Sequence, residues 1–548
     1  MNKKIFNWIC KYGKGSFLII FIMTLLSSML SLISLKFVSV SKDLINIASG
    51  SGEGSFLSTG IILVMLLFLK LAVQISVNFL NVHASSRMEI SLKRHVFKVL
   101  LDRDYLAVTK YHSGELLNRL NSDVSVIVSG IITILPSAAL FLTAIIGGFV
   151  YLYMINKTLA LIFLAAGPLV AVGARLYSRR YKTLHKRCQE ADGKTKSFML
   201  EILQNLLVVK SFNNEDYILE KSEDFQKNSY GLRVKRAKVS IVAHVGMFLI
   251  FNAGYYFAFA YGAYLISAGS INFGEFTAIL QLVNQIQTPF KDISSLVPQF
   301  FAVVASVERL IELEEIKGEA GVKMISDAKE IYADMKDIVF ENVGFEYNND
   351  SHVSGINMRF KKGECAVIGG ESGAGKSTAI KLLLGIFEPN EGSIYIETSK
   401  GKIPVNKSTR PLFSYVPQGN LILSGTIREN IAFANPDASE EDIIHSAKVA
   451  QIWDFIAGLD DGLETKIGEK GLGLSEGQAQ RISIARAILH SAPIMLLDES
   501  TSALDSATEA ALLRDIKNMT DRTCIIISHK QAAFEICDHS EFIKKCEK

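Results

Sequence analysis

Long apolar runs fill about the first 300 residues of this 548-residue chain, and they limit its possible folds more than any other feature. A helix needs about 20 mostly apolar residues to cross the hydrocarbon core of a bilayer. The mean hydropathy of +0.26 is high for a soluble protein. Six such segments can be drawn, at about residues 16–38, 56–82, 127–154, 158–177, 239–267 and 273–305. The sequence therefore predicts an all-α transmembrane domain of six helices over residues 1–318.

Positive charge is concentrated in the two long connections, which follow the second and fourth segments. These connections carry Arg87, Lys93, Arg94, Lys98, Arg103, Lys110 and Arg119, and then Arg175, Arg179, Arg180, Lys182, Lys186, Arg187, Lys194 and Lys196. Lys and Arg are enriched in loops that stay in the cytoplasm. We therefore predict a multi-pass protein of the cell membrane with both termini cytoplasmic. Both connections have helical periodicity, so the membrane helices should continue as long cytoplasmic extensions.

The first apolar run follows four lysines and superficially resembles a secretory signal peptide. It is too long for the apolar region of such a peptide and lacks a small-residue cleavage site, so we interpret it as a retained first helix. Because the membrane begins near residue 16, we expect no protease domain ahead of it.

The cysteines and the net charge bear on metal binding, disulfide formation and nucleic-acid binding. The six cysteines are scattered, with no CxxC pair, at Cys10, Cys188, Cys365, Cys524, Cys537 and Cys546. This pattern predicts reduced cytoplasmic thiols rather than a metal site or a disulfide framework. The net charge of +3 gives no indication of nucleic-acid binding.

A phosphate-binding loop is the strongest local motif. The segment Gly370-Glu371-Ser372-Gly373-Ala374-Gly375-Lys376-Ser377 matches GxxxxGK[ST] in full, between a strand-like run and a helical one. Glycines let backbone N–H groups close around phosphate oxygens, and the helix N-terminus adds partial positive charge. Lys376 should reach the β- and γ-phosphates of ATP, and the Ser377 hydroxyl should ligate Mg²⁺. The predicted nucleotide contacts here are Gly370, Ser372, Gly373, Ala374, Gly375, Lys376, Ser377 and Thr378.

A second motif supplies acidic side chains. Ile494-Met495-Leu496-Leu497-Asp498 is a continuous apolar run that ends in a carboxylate, as expected of a buried parallel strand. Asp498 should bind Mg²⁺, and Glu499 should polarise the attacking water. We predict an α/β P-loop ATPase domain over residues 337–548, joined by a linker at 319–336.

With further motifs, the chain resembles the ATP-binding cassette (ABC) exporter half-transporters of the type I exporter, or type IV fold, class. Leu474-Ser475-Glu476-Gly477-Gln478 is similar to the family signature LSGGQ. The other matching elements are Tyr415-Val416-Pro417-Gln418, Ser502-Ala503-Leu504-Asp505, Ile527-Ser528-His529, Tyr347, Gly114-Glu115-Leu116-Leu117-Asn118-Arg119 with Asp123, and Val209-Lys210-Ser211-Phe212.

The resemblance implies that ATP lies between two cassettes, gripped by Lys376 of one and Ser475 of the other. It implies catalytic roles for Glu499, His529 and Gln418, and Mg²⁺ ligation by Ser377, Gln418 and Asp498. Further nucleotide contacts are implied for Tyr347, Ser475, Gly477, Gln478 and Asp505. The chain departs from the family at Glu476, where glycine is common, and its carboxyl-terminal elements after His529 are expected to be short.

The implied function is ATP-driven export by alternating access, as a dimer with a second copy of the chain or with a related half-transporter. Intact Glu499 and Ser475 in one chain favour the homodimer. A membrane cavity with many Ser, Asn, Gln and Tyr side chains and few charges suits a peptide, a drug-like amphiphile or a lipid. A membrane ATPase that regulates or gates a channel is the alternative. The six apolar segments exclude a soluble ATPase of nucleic-acid maintenance or translation.

Overall fold

The computed structural model describes residues 3–111, 113–319, 325, 327–348, 351–419, 422–468, 473–519 and 521–544. The chain forms two compact units. The first combines Met1–Lys98 with Gly114–Glu314, and the second combines Val99–Ser113 with Glu315–Lys548.

The chain up to Glu315 is helical. Its helices are α1 (Lys3–Gly13), α2 (Phe17–Ala48), α3 (Phe56–Leu101), α4 (Tyr105–Thr109), α5 (Ser113–Asn118), α6 (Val124–Ile155), α7 (Lys157–Gln204), α8 (Leu206–Ser211), α9 (Glu215–Ser267) and α10 (Phe273–Glu315). A five-residue π-helical turn over Arg119–Asp123 joins α5 to α6.

Six of these helices, α2, α3, α6, α7, α9 and α10, coincide with the six predicted membrane segments. Within the described residues, four helical stretches are long and apolar enough to span a membrane: Lys3–Ala48, Phe56–Leu101, Ser113–Ile155 and Glu215–Ser267. The predicted membrane domain of helices is thereby confirmed, and the count of six stays a prediction. The 53 residues of α9 make a helix of about 80 Å, far longer than the hydrocarbon core. Such lengths agree with helices that extend beyond the bilayer.

Small and branched side chains hold the long helices together in the first unit. Leu152 on α6, Leu159 on α7, Ala258 on α9 and Ile279 on α10 are fully buried in one cluster. Gly148 permits the close approach of α10, because a Cβ there would lie 2.8 Å from the Ile286 side chain. The core of the first unit is therefore a packed helical bundle.

A buried ion pair joins the start of α6 to the end of α10 in the same unit. The Asp123 side chain is 3% exposed and accepts hydrogen bonds from the Arg309 guanidinium, through Nε at 2.8 Å and through Nη2. Ser306 Oγ donates to the same carboxylate at 3.0 Å. Beside this pair, Arg119 donates to the Arg309 carbonyl oxygen at 2.8 Å and to Glu115 at 2.7 Å. The Gly114–Asp123 motif of the sequence thus contributes Glu115, Arg119 and Asp123 to an ion-pair network.

The second unit contains the strands and the remaining helices. The strands are β1 (Met335–Asn348), β2 (Ser351–Lys361), β3 (Cys365–Gly370), β4 (Glu391–Thr398), β5 (Gly401–Pro404), β6 (Phe413–Val416), β7 (Gly425–Thr426), β8 (Lys466–Ile467), β9 (Ile494–Asp498), β10 (Thr523–Ile527) and β11 (His539–Ile543). The helices are α11 (Ala328–Asp334), α12 (Lys376–Leu383), α13 (Ile427–Ile431), α14 (Glu440–Val449), α15 (Trp453–Ala457), α16 (Glu476–His490), α17 (Ser506–Lys517) and α18 (Gln531–Ile536).

Two larger sheets organise this unit. A parallel sheet has the strand order β11-β3-β10-β9-β6, and an antiparallel sheet has the order β2-β1-β4-β5. Every residue of β9 and β10 is buried, which explains why their sequences are continuous apolar runs. The carboxyl ends of β3, β6, β9 and β10 lie at the same edge of the parallel sheet, where open α/β sheets bind their ligands. The predicted α/β domain is confirmed.

Two segments outside the predicted ATPase domain also pack in the second unit. In α4, the Tyr105 ring lies 6.4 Å from the Phe387 ring, and the preceding Asp104 caps the helix by accepting from the Ala107 N–H at 2.9 Å. In α11, within the predicted linker, Tyr332 is buried and its hydroxyl lies 3.1 Å from the Thr523 hydroxyl. Residues 320–324 and 326 of that linker, and 545–548 of the predicted ATPase domain, lie outside the described residues.

Candidate functional site

The phosphate-binding loop joins β3 to α12 at the carboxyl edge of the parallel sheet. Gly370, Gly373 and Gly375 have φ values of +140°, +81° and +96°, a backbone conformation that favours glycine. At Gly370 a Cβ would also lie only 2.4 Å from the Ile543 carbonyl oxygen of β11. These glycines are therefore required by the shape of the loop.

Lys376, the first residue of α12, reaches back into this loop. Its side chain is buried, and the ammonium donates to the carbonyl oxygens of Gly370 at 3.0 Å and Glu371 at 2.9 Å. These bonds hold the charge inside the loop, where the phosphates of a nucleotide would lie.

Ser377 and Asp498 meet beside the loop. The Ser377 hydroxyl donates to Asp498 Oδ1 at 3.0 Å, and the Tyr415 hydroxyl donates to Oδ2 at 3.3 Å. Asp498 is 1% exposed, and burial raises the pKa of its carboxyl group, while the bonds from Ser377 and Tyr415 partly oppose the shift. These hard oxygen donors suit Mg²⁺, which takes one or two carboxylates and the oxygens of a phosphate substrate. The structure thus places two of the three predicted metal ligands together, while the third, Gln418, donates a hydrogen bond to Glu499.

The raised pKa of Asp498 predicts a gain in stability on its neutralisation. A carboxyl group whose pKa is higher in the folded state stabilises the fold below its unfolded pKa, and this contribution is lost as pH rises through the folded pKa. At pH 7.5 without nucleotide, we expect Asp498→Asn to raise Tm by about 2–4 °C, the change that ~1 kcal/mol causes in a domain of this size. The amide oxygen can still accept from Ser377.

The measurement is a thermal melt at pH 5 and pH 7.5, and we expect the gain to shrink at the lower pH. Asp505→Asn is the matched control, because a hydrogen bond from the Thr508 N–H lowers the pKa of the exposed Asp505 carboxyl group and favours its charge. That variant should give no increase. A lower Tm for Asp498→Asn would contradict the prediction.

Three predicted catalytic residues lie together after β6, β9 and β10. Glu499 accepts a hydrogen bond from Gln418 Nε2 at 2.7 Å through one carboxylate oxygen, and the other lies 3.4 Å from His529 Nε2. The Glu499 backbone has a φ of +47° and its N–H donates to the Ile527 carbonyl oxygen at 3.1 Å. A non-glycine residue with positive φ is strained, and such strain is typical of functional sites. The arrangement can hold a water molecule against a general base.

The signature segment forms the N-terminus of α16. Ser475 caps the helix by accepting from the Gln478 N–H at 3.3 Å, and the Gln478 side chain accepts from the Ser475 N–H at 2.8 Å. A Cβ at Gly477 would lie 3.0 Å from the Ala503 carbonyl oxygen, so the glycine allows close packing of the Ser502–Asp505 loop. Glu476 is exposed in the first turn, where a carboxylate interacts favourably with the helix dipole.

Tyr347 and Thr378 contact each other at the far side of the phosphate loop. Their hydroxyl oxygens are 3.1 Å apart, and the Tyr347 ring packs edge-on against Phe345 at 4.9 Å and Phe387 at 5.4 Å. Tyr347 stays partly exposed. Its predicted stacking on adenine stays a prediction.

Sequence reasoning missed the residues that fix the loop between Glu499 and Asp505. Lys530 donates to the carbonyl oxygens of Thr501 at 2.8 Å and Leu504 at 2.9 Å, and it pairs with the buried Glu509 at 3.1 Å. Gln480, which is 2% exposed, donates to the Ser502 hydroxyl and accepts from the Ala503 N–H. The available signals were that Lys530 follows His529 directly and that Gln480 lies two residues beyond the signature. These contacts connect the signature helix, this loop and His529.

Two family models match the chain. Residues 17–290, half of its length, match the model described as the ABC transporter transmembrane region, and residues 353–502 match the model described as ABC transporter. The chain belongs to the ABC transporter family. The predicted resemblance is confirmed, and so is the predicted class, a transmembrane domain fused to an ABC ATPase domain.

Individual relatives of the transporter support the same class. ABC transporter B family member 1 of Dictyostelium discoideum is 30% identical over 82% of the chain, which spans about half (49%) of that protein's length. The ATP-dependent lipid A-core flippase of Desulfotalea psychrophila is 30% identical over 79% of the chain and 76% of its own length. A solved bacterial Atm1-family ABC exporter with ATP bound has a TM-score of 0.81 at 24% identity, covering 98% of this chain and 95% of that one, which shows a shared fold.

Proposed function

We propose that the transporter exports an amphiphilic substrate across the cell membrane, driven by ATP hydrolysis at composite sites of a homodimer. The observation that supports this most is the division of the predicted site residues into two groups. Lys376, Asp498 and Glu499 surround the phosphate loop, while Ser475 caps an exposed helix N-terminus that packs on the Ser502–Asp505 loop. A second chain would supply the signature group to each phosphate loop.

Hydrolysis in this proposal depends mainly on positioning and charge. Glu499 would polarise the attacking water, Gln418 would orient it, and His529 would hold the γ-phosphate. Ser377, Asp498 and Gln418 would hold Mg²⁺, which neutralises phosphate charge when bound. On the facing chain, the Ser475 hydroxyl, Gly477 and Gln478 N–H groups at the start of α16 would bind the γ-phosphate, and Asp505 would lie beside them.

Coupling to the membrane domain is proposed to run through α4. This helix packs within the ATPase unit, where the partly buried Leu106 lies against the hydrophobic core, and short connections join it to α3 and α5 along the chain. ATP would favour closure of the two cassettes, because it binds the closed pair better than the open pair. Movement of α4 would then pass to the long helices, and hydrolysis would reset the cycle.

The substrate class rests on polar side chains in apolar helices. Ser31 on α2 is buried, Asn284 on α10 is exposed, and Gln287 on α10 donates to the Phe251 carbonyl oxygen at 3.1 Å. Such groups suit a cavity that binds a substrate with both polar and apolar parts. The lipid A-core flippase relative favours a lipid or drug-like amphiphile over a peptide. Proton relays and ion filters need charged groups that these segments largely lack.

Mixed dimers test the composite homodimer. Lys376→Ala and Ser475→Arg should each inactivate the purified transporter. Every ATP site in the first homodimer lacks a functional phosphate loop, and every site in the second lacks a functional signature segment. When the two variants are co-expressed equally, half of the dimers are mixed and each has one intact site, so we expect about a quarter of wild-type ATP hydrolysis from the unsorted population and about half from purified mixed dimers. The measurement is phosphate release in lipid vesicles, with tandem affinity purification of mixed dimers.

The control is co-expression of Lys376→Ala with Lys376→Ala/Ser475→Arg, which leaves every possible site incomplete and should stay inactive. Inactive mixed dimers would contradict independent composite sites, and an inactive wild-type chain would indicate a related partner half-transporter. ATP-dependent accumulation of a fluorescent amphiphile in inverted vesicles separates a pump from a channel regulator, which would hydrolyse ATP without accumulation.

A further inference from the structure

Three cysteines meet at the edge of the parallel sheet opposite the phosphate loop. Cys365 begins β3, and it is the direct neighbour of Cys524 on β10. Cys537 lies between α18 and β11, and its sulfur is 3.0 Å from the Cys365 sulfur although 172 residues separate the two in sequence. The proposed ATP chemistry uses none of these thiols. We refer to Cys365, Cys524 and Cys537 as the thiol cluster.

A cavity borders part of the thiol cluster. A cavity of about 200 Å³ is lined by Cys365, Cys524, Lys517 and Arg522, with Asp538 at its wall. Cys537 is itself half-buried rather than enclosed. Cys365 and Cys524 are themselves buried, so oxidation of Cys365 requires a reagent as small as hydrogen peroxide to enter through this cavity.

The surroundings favour thiolate chemistry at Cys365. Lys517 and Arg522 bring positive charge to the cavity, and Lys517 is held there by a 2.7 Å ion pair with Asp538. Hydrogen bonds from the Cys524 and Cys537 thiols lower the pKa of Cys365, and Lys517 adds to this shift, while burial and the charge of Asp538 oppose it. A thiolate is the reactive form of cysteine, and reactive thiols occur near basic side chains.

A metal site does not account for the thiol cluster. Across the residues that the structure describes, no three His, Cys, Asp or Glu side chains are arranged to hold a metal ion. The close contact is between one pair of sulfurs, and a low-pKa thiol beside a second thiol is the arrangement found in peroxide-sensitive proteins.

We propose that Cys365 and Cys537 form a reversible disulfide when the ATPase unit meets hydrogen peroxide. The Cys365 thiolate attacks one peroxide oxygen, the O–O bond breaks, and a sulfenic acid forms on Cys365 while the leaving hydroxide takes up the proton that the thiol had lost and becomes water. The Cys537 sulfur then displaces the sulfenic hydroxyl group, which leaves as a second water. Two thiols and one peroxide thus give one disulfide and two waters, and a dithiol reductant restores both thiols.

The disulfide would fasten the carboxyl-terminal elements to β3. Cys537 directly follows α18 and lies two residues before β11, which pairs with β3 so that Ile543 lies opposite Gly370 of the phosphate loop. It also ends the segment that contains His529 and α18. The bond closes a long covalent loop and so restricts the unfolded chain. Because the sulfurs already touch in the reduced protein, we expect a stabilised ATPase unit with little change in ATP turnover.

The test uses the purified full-length transporter in lipid vesicles. After treatment with hydrogen peroxide, free thiols are blocked with N-ethylmaleimide and the protein is digested without reductant for mass spectrometry. We expect a linked peptide pair that contains Cys365 and Cys537, lost on treatment with dithiothreitol. We also expect Tm to rise by roughly 5 °C or more on oxidation, as for a disulfide that closes a long loop.

Two variants complete the test. Cys537→Ser, at the half-buried position, should lose both the linked peptide and the Tm increase, and Cys365 should oxidise further to sulfinic acid. Cys10→Ser changes a free thiol in the other unit and should behave like the wild type. Alkylation of Cys365 and Cys537 after peroxide, or a link through Cys524 instead, would overturn the proposal. These readouts do not depend on transport, so they stand apart from the proposed function.

Discussion

Glu499→Gln is expected to lower the rate of ATP hydrolysis at least 100-fold while ATP binding persists. The carboxylate lies between Gln418 and His529 at the end of β9, and an amide cannot accept a proton from the attacking water. Loss of a general base typically costs about 10²–10⁴-fold in rate. The amide keeps the size of the side chain and one acceptor oxygen for Gln418. The phosphate loop and Lys376 are unchanged, so nucleotide affinity should survive.

Two measurements distinguish this effect from misfolding. Phosphate release in lipid vesicles gives the rate, and the rise in Tm on addition of Mg²⁺ and ATP reports binding. Glu441→Gln is the matched control, because it makes the same carboxylate-to-amide change at an exposed position in the first turn of α14. It should retain the wild-type rate. A Glu499→Gln variant that keeps more than about a tenth of the rate would show that Glu499 is not the general base.

The sequence allowed the ATPase fold to be predicted because its signals are local. Buried parallel strands appear as apolar runs at Cys365–Ile368 and Ile494–Leu497, and the phosphate loop requires glycine where the backbone has positive φ. Because these strands are parallel neighbours, the ends of β3, β6, β9 and β10 lie together at one edge of the sheet, and no long-range contact has to be predicted separately. This is why the predicted metal ligands Ser377 and Asp498 contact each other in the structure, and why the predicted catalytic residues Gln418 and Glu499 do so as well.

Contacts between residues distant in sequence could not be predicted in the same way. The Cys365–Cys537 contact depends on the pairing of β11 with β3. The spacing of the cysteines in the sequence does not indicate that contact. In the sequence, Lys530 cannot be distinguished from a surface lysine, because its partner Glu509 is brought beside it only by the fold. The position of α4 in the ATPase unit likewise depends on tertiary packing, because the hydropathy of a five-residue helix does not reveal its neighbours.

The ion pair between α6 and α10 predicts an unequal loss of stability when either partner is removed. Arg309→Ala leaves the Asp123 carboxylate, which is 3% exposed, as a buried charge that keeps the hydrogen bond from Ser306 but loses both bonds from the guanidinium. Removing one partner of a buried pair costs about 3–5 kcal/mol. Asp123→Ala leaves instead the Arg309 guanidinium, which is 44% exposed and can be hydrated, so we expect about 2 kcal/mol.

The double variant Asp123→Ala/Arg309→Ala decides between a charge effect and a simple loss of packing. It contains no uncompensated buried charge, so it should be more stable than Arg309→Ala alone, although more atoms are missing. The measurement is the temperature at which the monodisperse peak is lost in size-exclusion chromatography after heating in detergent. Asp216→Ala, at an exposed position in the first turn of α9, should match the wild type. If the double variant is the least stable of the three, the pair stabilises the fold through packing and the charge argument fails. Removal of the buried Asp123 charge should otherwise restore part of the stability that Arg309→Ala loses.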